Sequence, residues 1–167
     1  MKKLSIKFNL NWYTILIFIG IIAILIVIDQ LTKYWAFKNL PMDKEIDCMK
    51  PLFKFSLLTN DGGMFNFLAG HFTLFYIFTV IGLLLFFFML NFADFIKYPF
   101  YTIGLLMMIA GTIGNCIDRI RFSYVRDFLT FGFFNFASFN FADMCMTCGI
   151  ICLAIDIVFT DVGGIWK

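Results

Sequence analysis

The chain has 167 residues, 62% of them hydrophobic and only 14% charged, with a formal net charge of +2 at pH 7. A soluble domain carries roughly 25% charged residues, so this composition excludes a water-dressed globule and favours a membrane-embedded one. The small net charge gives no footing for nucleic acid, which is bound by clustered cations that neutralise phosphates.

The chain opens on Lys2, Lys3 and Lys7, followed by an apolar run over about 13–37. A basic tail before an apolar run is also the pattern of a secretory signal. Here the run is too long, no small-x-small cleavage site follows, and further apolar runs come after it. The run is therefore read as a retained first helix. Three more apolar stretches follow at about 72–92, 100–117 and 144–159. A helix needs roughly 20 apolar residues to cross a hydrocarbon core of about 30 Å. The first two stretches meet that length and the last two border polar clusters. In lipid the backbone must satisfy its own hydrogen bonds, so the stretches are predicted to be helices.

Four spans place both termini on one side and two loops on the other. In the first of these loops, Lys38 to His71, the segment Leu52–Leu58 partly alternates and predicts a short strand. Asp61-Gly62-Gly63 reads as a turn. The second loop, Asp118 to Asp143, holds the other dense polar cluster. A Lys/Arg count over the two sides opposes a cytoplasmic N-terminus, because Arg119, Arg121 and Arg126 join four lysines on the far side. The purely basic tail before the first helix argues the other way, and both termini are expected in the cytoplasm.

The side-chain inventory restricts the chemistry. His71 stands alone, without HExxH, and the serines lack GxSxG or a His base. No phosphate-binding loop or dinucleotide fingerprint is present. Cys145, Cys148 and Cys152 fall at helical spacing in the fourth span, but a zinc site wants about four ligands. They are expected to be small buried thiols on one helix face. No metal or cofactor is expected.

Carboxylates remain. An ionisable group at membrane depth is costly and is by default a functional candidate. Asp156 and Asp161 are expected to be interfacial acids paired with Lys or Arg, and Asp29, four residues before Lys33, to cap or pair locally. Asp127 and Asp143 differ, because they lie on the same side at similar depth, Asp143 at the start of a helix where the dipole favours its carboxylate. Two carboxylates in one pocket do not both ionise cheaply. Such a pair supplies a general base for water and a general acid for a scissile amide.

Five motifs in order then resemble the bacterial lipoprotein signal peptidases, the signal peptidase II family. They are Asp29-Gln30-Leu31-Thr32-Lys33, Asn60-Asp61-Gly62-Gly63-Met64-Phe65, Gly111-Thr112-Ile113-Gly114-Asn115-Cys116-Ile117-Asp118-Arg119, Val125-Arg126-Asp127-Phe128 and Phe139-Asn140-Phe141-Ala142-Asp143. The resemblance implies an all-α integral membrane protein of four transmembrane helices, with a small extracytoplasmic β element and an amphipathic helix in the first loop. It implies one membrane-embedded peptidase domain over 1–167, in the bacterial cell membrane. The implied reaction is removal of the signal peptide from diacylglyceryl-modified prolipoproteins, with the cut just before the lipidated Cys. Asp127 and Asp143 are the implied catalytic pair. Asn60, Gly62, Asn115, Arg119 and Asn140 are implied to contact substrate, with Asp29, Lys33, Asp118 and Ala142 in support. Partners are then prolipoproteins and membrane lipids, and the chain is taken as a monomer. Met64 departs from the small residue usual before Phe. The rival reading is a small ion or proton-coupled transporter that relays ions through intramembrane acids; against it, the polar residues gather at one membrane face.

Overall fold

The structure, a computed structural model, describes residues 11–42, 44–62, 72–134 and 136–159. Four long helices carry the fold: α1 (Trp12–Asn39), α2 (Phe72–Met89), α3 (Pro99–Phe122) and α4 (Phe141–Phe159). Each is long and apolar enough to cross a membrane. Their exposed surface is largely Ile, Leu, Val and Phe, which suits lipid and not water. The chain is thus a multi-pass membrane protein.

Local chemistry fixes the helix ends. The Asn11 side chain accepts from the Thr14 amide at 2.9 Å and caps α1. Pro99 stands at the first turn of α3, where its missing N–H is not needed. That helix stops at Ser123, which takes a left-handed conformation (φ 62°) and returns its N–H to the Arg119 carbonyl. The third helix runs beyond the point expected from sequence. Asp118 was predicted to end the span, yet it is fully buried and paired with two cations, so its charge does not eject the helix into solvent.

The helix α3 is the most buried of the four and packs most extensively on α4. Glycines permit the approach. A Cβ added at Gly104 would lie 2.7 Å from the Gly149 carbonyl oxygen, and one at Gly149 would lie 2.7 Å from that of Gly104. Without a hydrophobic drive between helices in lipid, small residues that let backbones touch give the packing its energy. At the other end of the bundle, Phe18 of α1 joins Tyr98, Tyr101, Leu105, Leu106 and Ile109 in a buried cluster.

Outside the helices lies a three-stranded antiparallel sheet in the order β1 (Ile46–Met49), β2 (Phe53–Asn60), β3 (Val125–Phe131). The strand expected over Leu52–Leu58 is β2, carried two residues further to Asn60. β3 falls in what the sequence presents as a loop. Its register with β2 sets Leu58 opposite Asp127 and Asn60 opposite Val125. The sheet rests on the end of α1, where Ala36 packs with Leu57 and Phe128. Among the described residues of the first loop no helix follows α1, and the implied amphipathic helix, with Met64, His71 and the end of the Asp61-Gly62-Gly63 turn, lies outside the described residues.

Two expectations need correction. The thiols of α4 do not share one buried face: Cys145 is buried, Cys152 half-buried and Cys148 exposed, because positions three residues apart are rotated by about 60° on a helix of 3.6 residues per turn. Asp156 is not an interfacial acid but is fully buried. Asp161 lies outside the described residues.

Candidate active site

The start of α4 is held by side chains from three other elements. Asn140 and Asp143 form a reciprocal cap. The Asp143 amide donates to Asn140 Oδ1 at 3.1 Å, and the Asn140 amide donates to Asp143 Oδ2 at 3.0 Å. This is the capping-box arrangement, in which the residue before a helix and the third residue within it satisfy each other's free donors. The amide between them, that of Ala142, donates to Asp29 Oδ1 of α1 at 3.0 Å. A carboxylate from the first span therefore satisfies the start of the last one. Gly114 makes the room, since a Cβ there would meet Asp29 Oδ2 at 2.6 Å and the Ala142 methyl at 3.3 Å.

The Asn140 side chain also joins the two candidate carboxylates. While its Oδ1 accepts from Asp143, its Nδ2 donates to Asp127 Oδ1 at 2.6 Å and to Asn115 Oδ1 at 3.2 Å. Asn60 Nδ2 donates to the other oxygen of Asp127 at 2.9 Å, and its own Oδ1 is held by the Gly62 amide at 3.0 Å. Asn115 Nδ2 donates to Asp143 Oδ1 at 2.8 Å. Three Asn residues, from β2, α3 and the start of α4, thus each contact at least one acid. Asp127 is 1% exposed. Burial, and then the neighbouring Asp143 carboxylate, push its pKa from 3.8 up to about 7.

Behind this pair lies a sealed ionic layer. Lys33 is fully buried, and its Nζ reaches Asp29 Oδ2 at 2.9 Å, Asn115 Oδ1 at 2.9 Å and Asp118 Oδ2 at 3.5 Å. Asp29 pairs locally with Lys33, as expected from their spacing, and caps α4 as well. Asp118 takes Arg126 through the backbone N–H (3.0 Å), Nε (3.2 Å) and a terminal nitrogen (2.7 Å). Gln30 closes the layer: Nε2 donates to Asp29, the Gly114 carbonyl and Asp118, and Oε1 accepts from Arg126 at 3.1 Å. Buried charges persist only when paired and hydrogen-bonded, and two acids face two bases here.

Sequence reasoning missed Gln30 and Arg126 as members of the site. Both lay inside quoted motifs; for Arg126 the signal was a cation immediately before a candidate acid, and Gln30 gave none. Arg119, implied to contact substrate, also lies at this end of the bundle. It donates to the Gly62 carbonyl at 3.1 Å, and its guanidinium lies 4.4 Å from the Phe75 ring centre. Its Nε is buried with no hydrogen-bond partner among the described residues. All eleven residues singled out from the sequence gather at this end of the bundle.

The sequence model of the signal peptidase (SPase) II family matches residues 21–159. The chain is similar to a lipoprotein signal peptidase of Enterococcus faecalis, 32% identical over 147 residues that cover 88% of this chain and 91% of that one. It is likewise similar to a lipoprotein signal peptidase of Streptococcus agalactiae, 38% identical over 144 residues that cover 83% and 90%. A solved structure described as a bacterial membrane enzyme, obtained by the in meso method at 2.3 Å, shares the fold with a TM-score of 0.76 and 27% identity, covering 88% of this chain and 90% of that one.

Proposed function

The chain belongs to the signal peptidase II family, and on that premise we propose that it is an aspartic-type endopeptidase that removes the signal peptide from prolipoproteins, with Asp127 and Asp143 as its catalytic pair. The observation that carries the assignment is the position of Asn140. Its side chain and backbone together bind one oxygen of Asp127 and one of Asp143, so two acids from separate elements meet at one residue. A buried pair of this kind shares a proton and offers a base for water and an acid for the scissile bond. Arg119 Nε, a buried donor with no partner among the described residues, is suited to a substrate carbonyl.

Substrate choice follows from depth. Asp143 is the third residue of α4, at the end of a 19-residue helix whose length of about 28 Å matches the hydrocarbon core. A diacylglyceryl group on the substrate Cys keeps its acyl chains in the bilayer and its thioether at that boundary. Each buried methylene contributes about 0.8 kcal/mol, so the lipid fixes the Cys at the level of the pair. The proposal places the protein in the bacterial cell membrane with both termini cytoplasmic. It is tested by incubating purified protein in detergent with matched lipidated and unlipidated precursors. The lipidated one is expected to be cut before its Cys and the other very poorly. Equal rates on both would overturn lipid-anchored recognition.

A further inference from the structure

Resting on the proposal that Asp127 and Asp143 are the catalytic pair, we infer that their labour is divided in a fixed way: Asp143 is the ionised member that activates water, and Asp127 is the protonated member that gives its proton to the scissile carbonyl. Each acid accepts two N–H bonds, so the division follows from where the two sit: Asp143 part-open in the first turn of α4, Asp127 sealed in a strand.

An Asn side chain can usually turn over, exchanging its donor and acceptor ends. None of the three here is free to do so. Asn140 Oδ1 is held by the Asp143 amide. Asn60 Oδ1 is held by the Gly62 amide. Asn115 Oδ1 is held by the buried ammonium of Lys33, which has no acceptor to offer in exchange. Each NH2 is therefore committed toward a carboxylate. Both oxygens of each acid are taken by N–H donors, and on Asp143 a helix start is added. Oδ1 takes the Asn115 NH2 and Oδ2 takes the Asn140 backbone N–H, while the carboxylate stands in the first turn of α4, at the positive end of the helix dipole. It is also the more open of the two, being half-buried, and so keeps part of its contact with water.

Asp127 accepts from two amides as well, but it sits in a strand, without a helix dipole, and is almost sealed. The charged groups facing it are Lys33 of α1, Arg119 of α3 and Asp143 of α4; β2 faces it with the neutral Asn60. Its elevated pKa agrees with a proton resting there, since burial disfavours its charge before Asp143 adds to the effect.

The steps balance. Asp143 takes a proton from water as the water oxygen bonds to the scissile carbonyl carbon. The carbonyl π pair moves to its oxygen, which takes the proton of Asp127, and a gem-diol forms. On collapse the C–N bond breaks, the nitrogen takes the proton now on Asp143, and one gem-diol hydroxyl returns its proton to Asp127. The pair ends as it began, with one amide and one water consumed.

The test is infrared spectroscopy of the full chain in nanodiscs, following protonated-carboxyl bands through a pH titration, with turnover of lipidated precursor measured alongside. Wild type should show a protonated-Asp band at pH 6 that fades as pH rises through about 7. Asp127→Asn should lose that band entirely. Asp143→Asn should keep it but move its midpoint to lower pH, because the like charge is gone. Both variants should lose at least a hundredfold in turnover while remaining folded by circular dichroism. A pH 6 band that survives Asp127→Asn and vanishes in Asp143→Asn would reverse the assignment while leaving the catalytic pair intact. Substantial turnover by either variant would instead overturn the pair itself.

Discussion

Replacing Asn140 separates what the start of α4 contributes to stability from what it contributes to chemistry. Asn140→Ala removes the cap acceptor for the Asp143 amide and both bonds made by Nδ2, to Asp127 and Asn115. Asn140→Ser keeps a good N-cap acceptor but is too short to reach Asp127. The cap is worth about 1 kcal/mol. The bond onto the Asp127 carboxyl is worth about 1.5–3 kcal/mol and the one onto the neutral Asn115 oxygen about 1 kcal/mol, and both variants lose the two. The serine variant should therefore unfold later than the alanine variant by about 1 kcal/mol, and both should unfold earlier than wild type. In turnover the two should fall together. Losing about 1.5–3 kcal/mol of support on Asp127 corresponds to roughly a ten- to hundredfold drop in kcat. Thermal unfolding in one detergent and initial rates on a lipidated precursor measure both quantities. A serine variant no more stable than alanine would refute the capping argument, and one with wild-type turnover would refute the role assigned to Nδ2.

With burial and Asp143 pushing its pKa up to about 7, Asp127 should lose its proton as pH rises through that value, and catalysis that needs the proton should fall with it. Asn60→Ala removes a bond that favours the carboxylate and should move the falling limb of the pH–rate profile to higher pH; a downward shift would count against the reasoning. Gly149→Ala puts a Cβ 2.7 Å from both the Gly104 carbonyl and Met108 Cγ and should destabilise by about 1–3 kcal/mol, whereas Gly20→Ala, with nothing within 4 Å, should be neutral or slightly stabilising in the same unfolding assay. Topology reporters fused after Asp94 or at the C-terminus should read cytoplasm, and those at Asp47 or Ser138 outside; the reverse pattern would mean the Lys/Arg count was the better guide.

The helices were legible because the membrane demands long apolar runs, and that demand is written locally. The ends were less so. Asp118 and Arg119 look like the start of a loop, since their charges are visible in the sequence but their partners are not: Arg126 lies beyond a reversal at Ser123, and Lys33 is in another helix. β3 was hidden for a similar reason. Val125–Phe131 becomes a strand by pairing with β2, more than sixty residues earlier. β1 carries no alternating burial to announce it, as all four of its residues are exposed. At the candidate site, the motifs carried Asp127, Asp143 and the three Asn residues. They did not reveal that Gln30 and Arg126 complete the ionic layer, because a buried charge network is defined by what closes around it.

The bond from Asp29 to the Ala142 amide bears on when this protein becomes active during its synthesis. One half of the candidate pair arrives with β3 and the other with the last span, whose first turn is satisfied by a residue laid down in the first. A ribosome that has delivered three helices to the membrane has delivered no complete site. The chain must be threaded to its fourth helix, and that helix must come to rest against the first, before the two candidate acids meet at Asn140. A chain of this architecture lacks one of its two candidate acids until its last helix is in place, and Asp29 is the residue that joins the earliest helix to the latest.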